Sequence, residues 1–306
     1  MNKTIEQIEQ EIILKYVEKS QVTHLNHTIH NIQIHSIKCH TNYPNSKPNL
    51  LVIHGYGGNC MSFIKMADSL TPKYNLYMID LPGFGRSGTS DVLQSDDIDT
   101  VLDLYANLLK KYILQIDKEV LVFGHSLGAY IAVHLASKYP TIVKKMALFN
   151  PAGMLPVDQT SLYKYTTWMF KYDLPGNIFR FVTRNKPLYS MLLGTNRISL
   201  HKMYKAMLFS SATYTRITNA FIQIEKKDGV SRVICKRPGL AQLSRLAIPI
   251  TLIYGKKDII VDTSDGEYIH KLTNIPVHTI DSLGHNIKSD YNGIQELVAI
   301  ILDFYS

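Results

Sequence analysis

The 306-residue sequence predicts an α/β fold: a mostly parallel sheet of eight strands, helices on both faces, and an inserted helical lid. Three observations lead there. Short apolar runs recur along the chain and end in turns, most of them rich in glycine. Stretches with helical spacing lie between these runs. One interval, 151–246, breaks the alternation. Strands that alternate with helices imply a parallel sheet covered on both sides, and short continuous apolar runs suit strands buried on both faces.

The elements follow in order. Residues 1–19 alternate acidic and apolar residues at helical spacing and lack the basic start and apolar block of a secretory leader, so they read as an amphipathic surface helix. Residues 22–40 alternate apolar and polar, with Ile32 and Ile34 against Gln33 and His35, which is the period of a strand hairpin. Asn42-Tyr-Pro-Asn-Ser-Lys-Pro48 is turn chemistry. The run 50–53 ends in His54-Gly-Tyr-Gly-Gly58, and 75–79 ends in Asp80-Leu-Pro-Gly-Phe-Gly85. The run 120–123 ends in Gly124-His125-Ser126-Leu127-Gly128, and 143–149 ends in Asn150-Pro151. The last two runs, 250–254 and 277–280, end in Gly255 and in Asp281-Ser-Leu-Gly284. Helical spacing occupies 61–70, 98–114, 127–138, 264–272 and 294–305. The core is therefore expected at 1–150 and 247–306, with the lid at 151–246. Ligands of such sheets bind beyond the carboxyl ends of the strands, where these turns gather.

Composition narrows the classes. With 45% hydrophobic and 19% charged residues the chain is near the globular average, which excludes wholesale disorder, collagen and coiled coil. Cys39, Cys60 and Cys235 are too scattered for a disulfide framework and form no Cys-x-x-Cys pair, so the chain reads as cytosolic. No run of apolar residues is long enough for a spanning helix. Heavy use of Ile, Asn, Lys and Tyr marks an AT-rich genome, such as that of a protist, a bacterium or a large DNA virus. In the last case packaging in the particle would follow. The formal charge is +8, yet 151–246 holds 15 Lys and Arg against four acids, so this segment carries the whole excess. Within it, Ser161-Leu-Tyr-Lys-Tyr-Thr-Thr-Trp-Met-Phe-Lys-Tyr172 mixes aromatics with lysines around Trp168, the one tryptophan. Such a stretch suits peripheral contact with an anionic membrane; the same aromatics also suit packing of the lid and lining of an acyl pocket. No nucleic-acid partner is expected.

The chemistry sits at the strand ends. A serine at a sharp strand-to-helix turn needs small neighbours, which Gly124 and Gly128 supply, and this context makes Ser126 the candidate nucleophile. A serine hydroxyl needs a base, and His285 in Ser282-Leu-Gly-His-Asn286 follows a strand directly. The base needs an acid to fix its tautomer. Asp258, in Tyr254-Gly-Lys-Lys-Asp258, is the candidate, and Asp262 is the alternative. The order Ser126, Asp258, His285 is the one this strand–turn–helix arrangement predicts. An oxyanion needs backbone N–H donors, assigned to Tyr56 in the loop after the third strand and to Leu127 after the nucleophile. Gly55, His125 and Trp168 are candidate pocket residues; for His125, which flanks the nucleophile, packing is the other reading. Asn150 ends the strand before the lid and, being uncharged, does not compete as the acid. Asp80 is expected to hold the 81–87 loop through side-chain to backbone bonds. Five histidines, His24, His27, His30, His35 and His40, cluster in 24–40. Alternation puts several on a solvated strand face with no accompanying carboxylate, so no metal and no cofactor are expected.

These residues together resemble the alpha/beta-hydrolase superfamily over roughly 45–150 and 247–306. Asp80-Leu-Pro-Gly-Phe-Gly-Arg-Ser87 looks like a loop shared across it. Gly284-His285-Asn-Ile-Lys-Ser-Asp290 and Asn150-Pro-Ala-Gly153 resemble the lipid-acting subgroup that includes the N-acyl phospholipase B and the triglyceride-lipase co-activator. The resemblance implies a serine hydrolase acting on a carboxylic ester, lipid or otherwise apolar in its acyl group. Lysophospholipid acyl transfer or C–C bond hydrolysis would use the same three residues. Some members of the subgroup carry asparagine at the nucleophile and serve as binding partners only, so a non-catalytic lipid or membrane adaptor is the reading of another class. Ser126 argues for activity. Dehalogenase and epoxide hydrolase relatives use aspartate at that position.

Overall fold

The computed structural model describes residues 4–41, 47–95, 97–156, 222–227, 230–235, 237–258, 260–287 and 291–306. Helix α1 spans Ile5–Tyr16, opened by a capping box in which Thr4 and Gln7 satisfy each other's N–H groups. Strands β1 (Gln21–Ile29) and β2 (Ile32–His40) form the hairpin that the alternation predicts. Strand β3 (Asn49–Ile53) leads through a 3-10 turn, Cys60–Met66, into the short α2 (Ala67–Leu70). Next come β4 (Asn75–Ile79), α3 (Ile98–Ile116), β5 (Val120–His125), α4 (Leu127–Lys138) and β6 (Val143–Phe149). Asp97 caps α3 by accepting the Thr100 N–H.

After the insertion the chain returns with α5 (Leu240–Leu243), β9 (Ile250–Gly255), α6 (Thr263–Thr273), β10 (Val277–Ile280) and α7 (Tyr291–Tyr305). The main sheet has eight strands in the order β1-β2-β4-β3-β5-β6-β9-β10. The β1–β2 and β2–β4 pairs are antiparallel and the rest are parallel. This is the mostly parallel sheet that the sequence predicts.

Successive strand residues point to opposite faces, and the central strands are apolar on both, so each face carries its own core. Leu51, Ile53, Val122 and Leu148 pack under α3 and α4. Their neighbours Leu50, Val52, Phe123 and Phe149 pack against α1, the 3-10 turn and α7. Each such aliphatic or aromatic side chain contributes roughly 1.5–3 kcal/mol by leaving water. The double covering also fixes register, because a slip of one residue would swap the two faces.

Two expectations change. The interval 151–246 is expected to be a helical lid. Most of it lies outside the described residues, but it contains an antiparallel pair, β7 (Ile222–Lys227) with β8 (Val230–Cys235). The histidine cluster is expected to lie largely on a solvated face without carboxylates. His24 and His30 are exposed, but the expectation fails at His35, because β2 is an interior strand, between β1 and β4, with most of its residues buried. His35 is buried, and its Nδ1 donates to Asp80 Oδ2 at 2.7 Å. Asp80 does hold its own loop, through the Arg86 N–H at 2.9 Å, and it also accepts the Cys60 N–H at 2.6 Å.

The start of α4 has no spare room. A Cβ on Gly128 would lie against the backbone carbonyl oxygens of Ile53 and His54 at the end of β3. Backbone of a central strand cannot retreat, so Gly128→Ala is expected to cost about 1–3 kcal/mol, as overpacked cores do. A lower urea midpoint at unchanged slope is the expected measurement.

Candidate active site

Strand β5 ends on His125 and α4 begins at Leu127, so one residue makes the whole turn. That residue is Ser126, at φ 51° and ψ −118°. The conformation is disfavoured for a residue with a Cβ and is imposed from both sides. The Ser126 N–H donates to Phe149 O of β6 at 3.0 Å, and the Ser126 carbonyl accepts the N–H groups of Ala129 and Tyr130. The side chain is thereby held at the carboxyl end of a central strand, buried but not sealed, at 6% exposure.

The structure brings the three distant polar residues together. His285 Nε2 lies 3.0 Å from Ser126 Oγ, and His285 Nδ1 lies 2.7 Å from Asp258 Oδ2. The other Asp258 oxygen accepts the N–H groups of Ile260 and Val261 at 2.7 and 3.0 Å, so the carboxylate is fixed from both ends. Asp262, the alternative acid, instead caps α6 by accepting the Ser264 N–H. An acceptor on Nδ1 puts the imidazole proton there and leaves the Nε2 lone pair facing the hydroxyl. That arrangement can accept a proton from Oγ and return it elsewhere.

The His285 loop is braced by two residues whose part the sequence did not reveal. Asn150, fully buried at φ 44°, donates Nδ2–H to Gly284 O at 2.9 Å and to His285 O at 3.1 Å. Its Oδ1 accepts the Gly255 N–H at 2.8 Å. One carboxamide therefore joins the ends of β6 and β9 to the loop after β10. His125 is expected either to pack or to line the pocket. It packs, buried between Phe63 and Phe149, with its Nε2–H donating to His285 O at 2.7 Å. Burial, with the adjacent His285 adding to it, holds His125 well below the ordinary histidine value. The ring is therefore neutral, with its proton on Nε2. Asn150 had one visible signal, a polar residue closing an apolar strand. The brace itself ends on backbone carbonyls, which leave no mark in a sequence.

The loop after β3 comes close to the serine. A Cβ on Gly55 would stand 2.9 Å from Ser126 Cβ and 2.7 Å from His125 Nδ1, so only glycine allows this approach. His54 is buried and held below the ordinary histidine value by that burial. Its Nε2 accepts the Leu81 N–H at 3.0 Å, so its Nδ1–H donates to Gly55 O at 2.7 Å. The Gly55 carbonyl and the Tyr56 N–H belong to one planar trans peptide and point in opposite directions, so His54 also sets the direction of the Tyr56 N–H. The Tyr56 ring is 40% exposed and lies edge-on to Phe84. Leu127 opens α4, where a helix leaves its N–H groups without an internal acceptor. Trp168 and Asp290 lie outside the described residues.

A family profile for the alpha/beta hydrolase fold matches residues 48–290. The chain is 25% identical over 270 residues to abhydrolase domain-containing protein abhd-5.2 of Caenorhabditis elegans, which spans 83% of this chain and 59% of that longer protein. It is 27% identical over 263 residues to the uncharacterized hydrolase YugF of Bacillus subtilis, 80% of this chain and 85% of the other. It is 26% identical over 285 residues to the (lyso)-N-acylphosphatidylethanolamine lipase of Bos taurus, 83% of this chain and 80% of the other. The fold is shared with a bacterial membrane phospholipase A (TM-score 0.75, 20% identity, 99% of this chain and 91% of the other). It is shared too with a putative lipase of Acinetobacter baumannii (TM-score 0.73, 19% identity, 100% and 98%). Among the described residues no helix is long and apolar enough to cross a membrane.

A second carboxyl group stands behind the acid. Asp265 on α6 is 4% exposed and its Oδ1 has no hydrogen-bond partner. Burial first, then the charges of Asp262 and Asp258, push it up to about 7. The unfolded chain titrates this group near about 3.9. Its contribution to stability is therefore full below that value and is lost as pH rises through about 7. Asp265→Asn removes the loss, so the variant's urea midpoint should exceed that of the parent at about pH 8 and match it near pH 4, with the gap opening between.

Proposed function

We propose that this chain, which belongs to the alpha/beta-hydrolase family, is a serine hydrolase that cleaves a carboxylic ester with a lipid or otherwise apolar acyl group. The observation that carries the reading is the unbroken chain Ser126 Oγ, His285 Nε2, His285 Nδ1, Asp258 Oδ2, with links of 3.0 and 2.7 Å. Its start, a serine at φ 51° between β5 and α4, is where a nucleophile serves this fold. The acyl preference is supported by relatives whose names describe lipases and esterases, among them the (lyso)-N-acylphosphatidylethanolamine lipase and the pimeloyl-[acyl-carrier protein] methyl ester esterase of Neisseria meningitidis.

The reaction follows from the proton positions. His285 Nε2 takes the Oγ proton as Oγ bonds to the ester carbonyl carbon. The negative charge that moves to the carbonyl oxygen is met by the backbone N–H groups of Tyr56 and Leu127. Asp258 keeps the proton on Nδ1 and stabilises the imidazolium. Nε2 then gives its proton to the departing alkoxide, leaving the acyl group on Ser126. Water enters and gives a proton to the same nitrogen as its oxygen bonds to the acyl carbon; the acyl–Oγ bond then breaks, the proton returns from Nε2 to Ser126 Oγ, and the acid leaves. His125 and Asn150 act as positioning residues by holding the His285 carbonyl while the ring changes charge. The basic excess of 151–246 supports presentation of substrate at an anionic surface.

Ser126→Ala should lower kcat by several orders of magnitude, up to about a million-fold, without lowering the melting temperature. It should also abolish labelling by a fluorophosphonate probe. Unchanged turnover of an acyl-ester panel would overturn the mechanism. His125→Phe keeps the ring packing and removes the donor. It should lower kcat by about ten- to a hundredfold, as small misplacements of reacting groups do, with KM and melting temperature unchanged. Equal activity would remove His125 from the machinery without touching the serine reading.

A further inference from the structure

A second polar cluster lies between α1 and the β1–β2 hairpin, away from the serine. We propose that Glu9, His24 and His35 bind a divalent transition-metal ion, zinc by donor type, which clamps α1 to the hairpin. One donor atom from each residue lies within 4.8 Å of the other two. His24 Nδ1 and His35 Nε2 face one another at 3.1 Å, with the rings stacked at 5.3 Å. Two nitrogens held at about 2.0–2.1 Å on a tetrahedral ion stand roughly 3.4 Å apart, so a small opening of the pair admits the ion.

The third donor is the observation that points to a ligand. Glu9 is fully buried; its Oε2 accepts from Arg86 Nη1 at 3.0 Å, and its Oε1 has no hydrogen-bond partner. A buried carboxylate oxygen left without a partner is costly and rare. A bound cation would supply one.

The other side of His35 is already arranged for this use. Asp80 Oδ2 takes the His35 Nδ1–H at 2.7 Å, which leaves the Nε2 lone pair facing His24. A carboxylate that orients a histidine from behind is the usual support of a ligating imidazole. Asp80 itself is not available as a ligand, because its oxygens also accept the N–H groups of Cys60 and Arg86. Charge points the same way. Glu9 and Asp80 are two carboxylates with no exposure, and Arg86 divides its guanidinium between Glu9 and the exposed Glu6. Buried charge of one sign needs compensation. Two imidazoles and one carboxylate form a donor set that suits zinc. His24 is exposed, which gives an ion a route from solvent.

The test needs no enzymatic assay. The full chain, stripped with a chelator, is titrated with zinc by calorimetry and with cobalt by visible absorption, and melted with and without zinc. The expected result is one saturable equivalent, tetrahedral cobalt bands, and a higher melting temperature with zinc. In His24→Gln, a change at an exposed position, affinity should fall at least tenfold and the thermal gain should vanish. His27→Gln, on the same strand but outside the cluster, should bind as the parent does. Absence of saturable binding in the parent, equal binding in His24→Gln, or an equal loss in His27→Gln would overturn the proposal. His24 and His35 would then be a hydrogen-bonded pair only.

Discussion

Ser126 holds a sparsely populated backbone conformation that costs a residue with a Cβ on the order of 1–3 kcal/mol, and nothing in a serine favours it. The cost is met by the secondary structure on either side. The Ser126 N–H is committed to β6 and its carbonyl starts the hydrogen-bond ladder of α4. Because β5 stops and α4 starts with one residue between them, the hydroxyl has little freedom of position. It stands at the carboxyl end of a strand with β3 on one side and β6 on the other. The other two groups must come to it. Asp258 follows β9, two strands away, and His285 follows β10, three strands away.

What closes that gap is not the trio itself. A hydrogen bond of 3.0 Å between a serine and a histidine contributes about a kilocalorie, too little to hold a loop in place. The Asn150 carboxamide and the His125 ring hold the loop through its carbonyls, and both belong to the elements nearest the serine. His125 is the residue before it, and Asn150 directly follows the strand that accepts its N–H. The imidazole is thus referenced to the same backbone as the hydroxyl. In the same way, His54 ties the Gly55 peptide to the loop at Leu81. The His285 loop and the Gly55–Tyr56 peptide thus each have their direction set by neutral, buried side chains.

This division explains how much of the site was legible in the sequence. The strand ends were readable because their apolar runs stop abruptly at glycine or a polar residue. Ser126, Asp258 and His285 were readable because a hydroxyl, an imidazole and a carboxylate at such ends make chemical sense together. Asn150 is visible only as a polar strand end and His125 only as a packing or pocket residue, because a brace that ends on backbone carbonyls can be supplied by several residue types. Within the histidine cluster, His35 departs from its expected face for a different reason. Alternation reports which side a residue faces, but not whether that side meets water. On the edge strand β1 one face does, whereas on β2, enclosed by its neighbours and by α1, neither face reliably does. Glu9 is 26 positions from His35 in the chain, on a helix, so no local pattern could pair them. The β7–β8 pair had a signal that the charge and aromatic count obscured: Asp228-Gly229 sits between two runs rich in valine and isoleucine, a common hairpin signature.

The molecule uses one device twice. In both places an aspartate at or beyond a strand end accepts the Nδ1–H of a buried or half-buried histidine at 2.7 Å, and backbone N–H groups hold that aspartate still. The device itself only orients a lone pair at Nε2; what the lone pair meets decides its use. At His285 it meets a hydroxyl on a strained turn, a group with a proton to give and an oxygen that becomes reactive on losing it. At His35 it meets a second imidazole and a carboxylate oxygen, neither of which becomes a useful nucleophile, and both of which are donors to a metal. The loop from Asp80 to Leu81 also joins the two centres physically, since Asp80 holds His35 and the Leu81 N–H holds His54 beside the serine. A cation at the first centre would therefore stiffen the frame on which the Gly55–Tyr56 peptide is oriented, while taking no part in the chemistry proposed for Ser126.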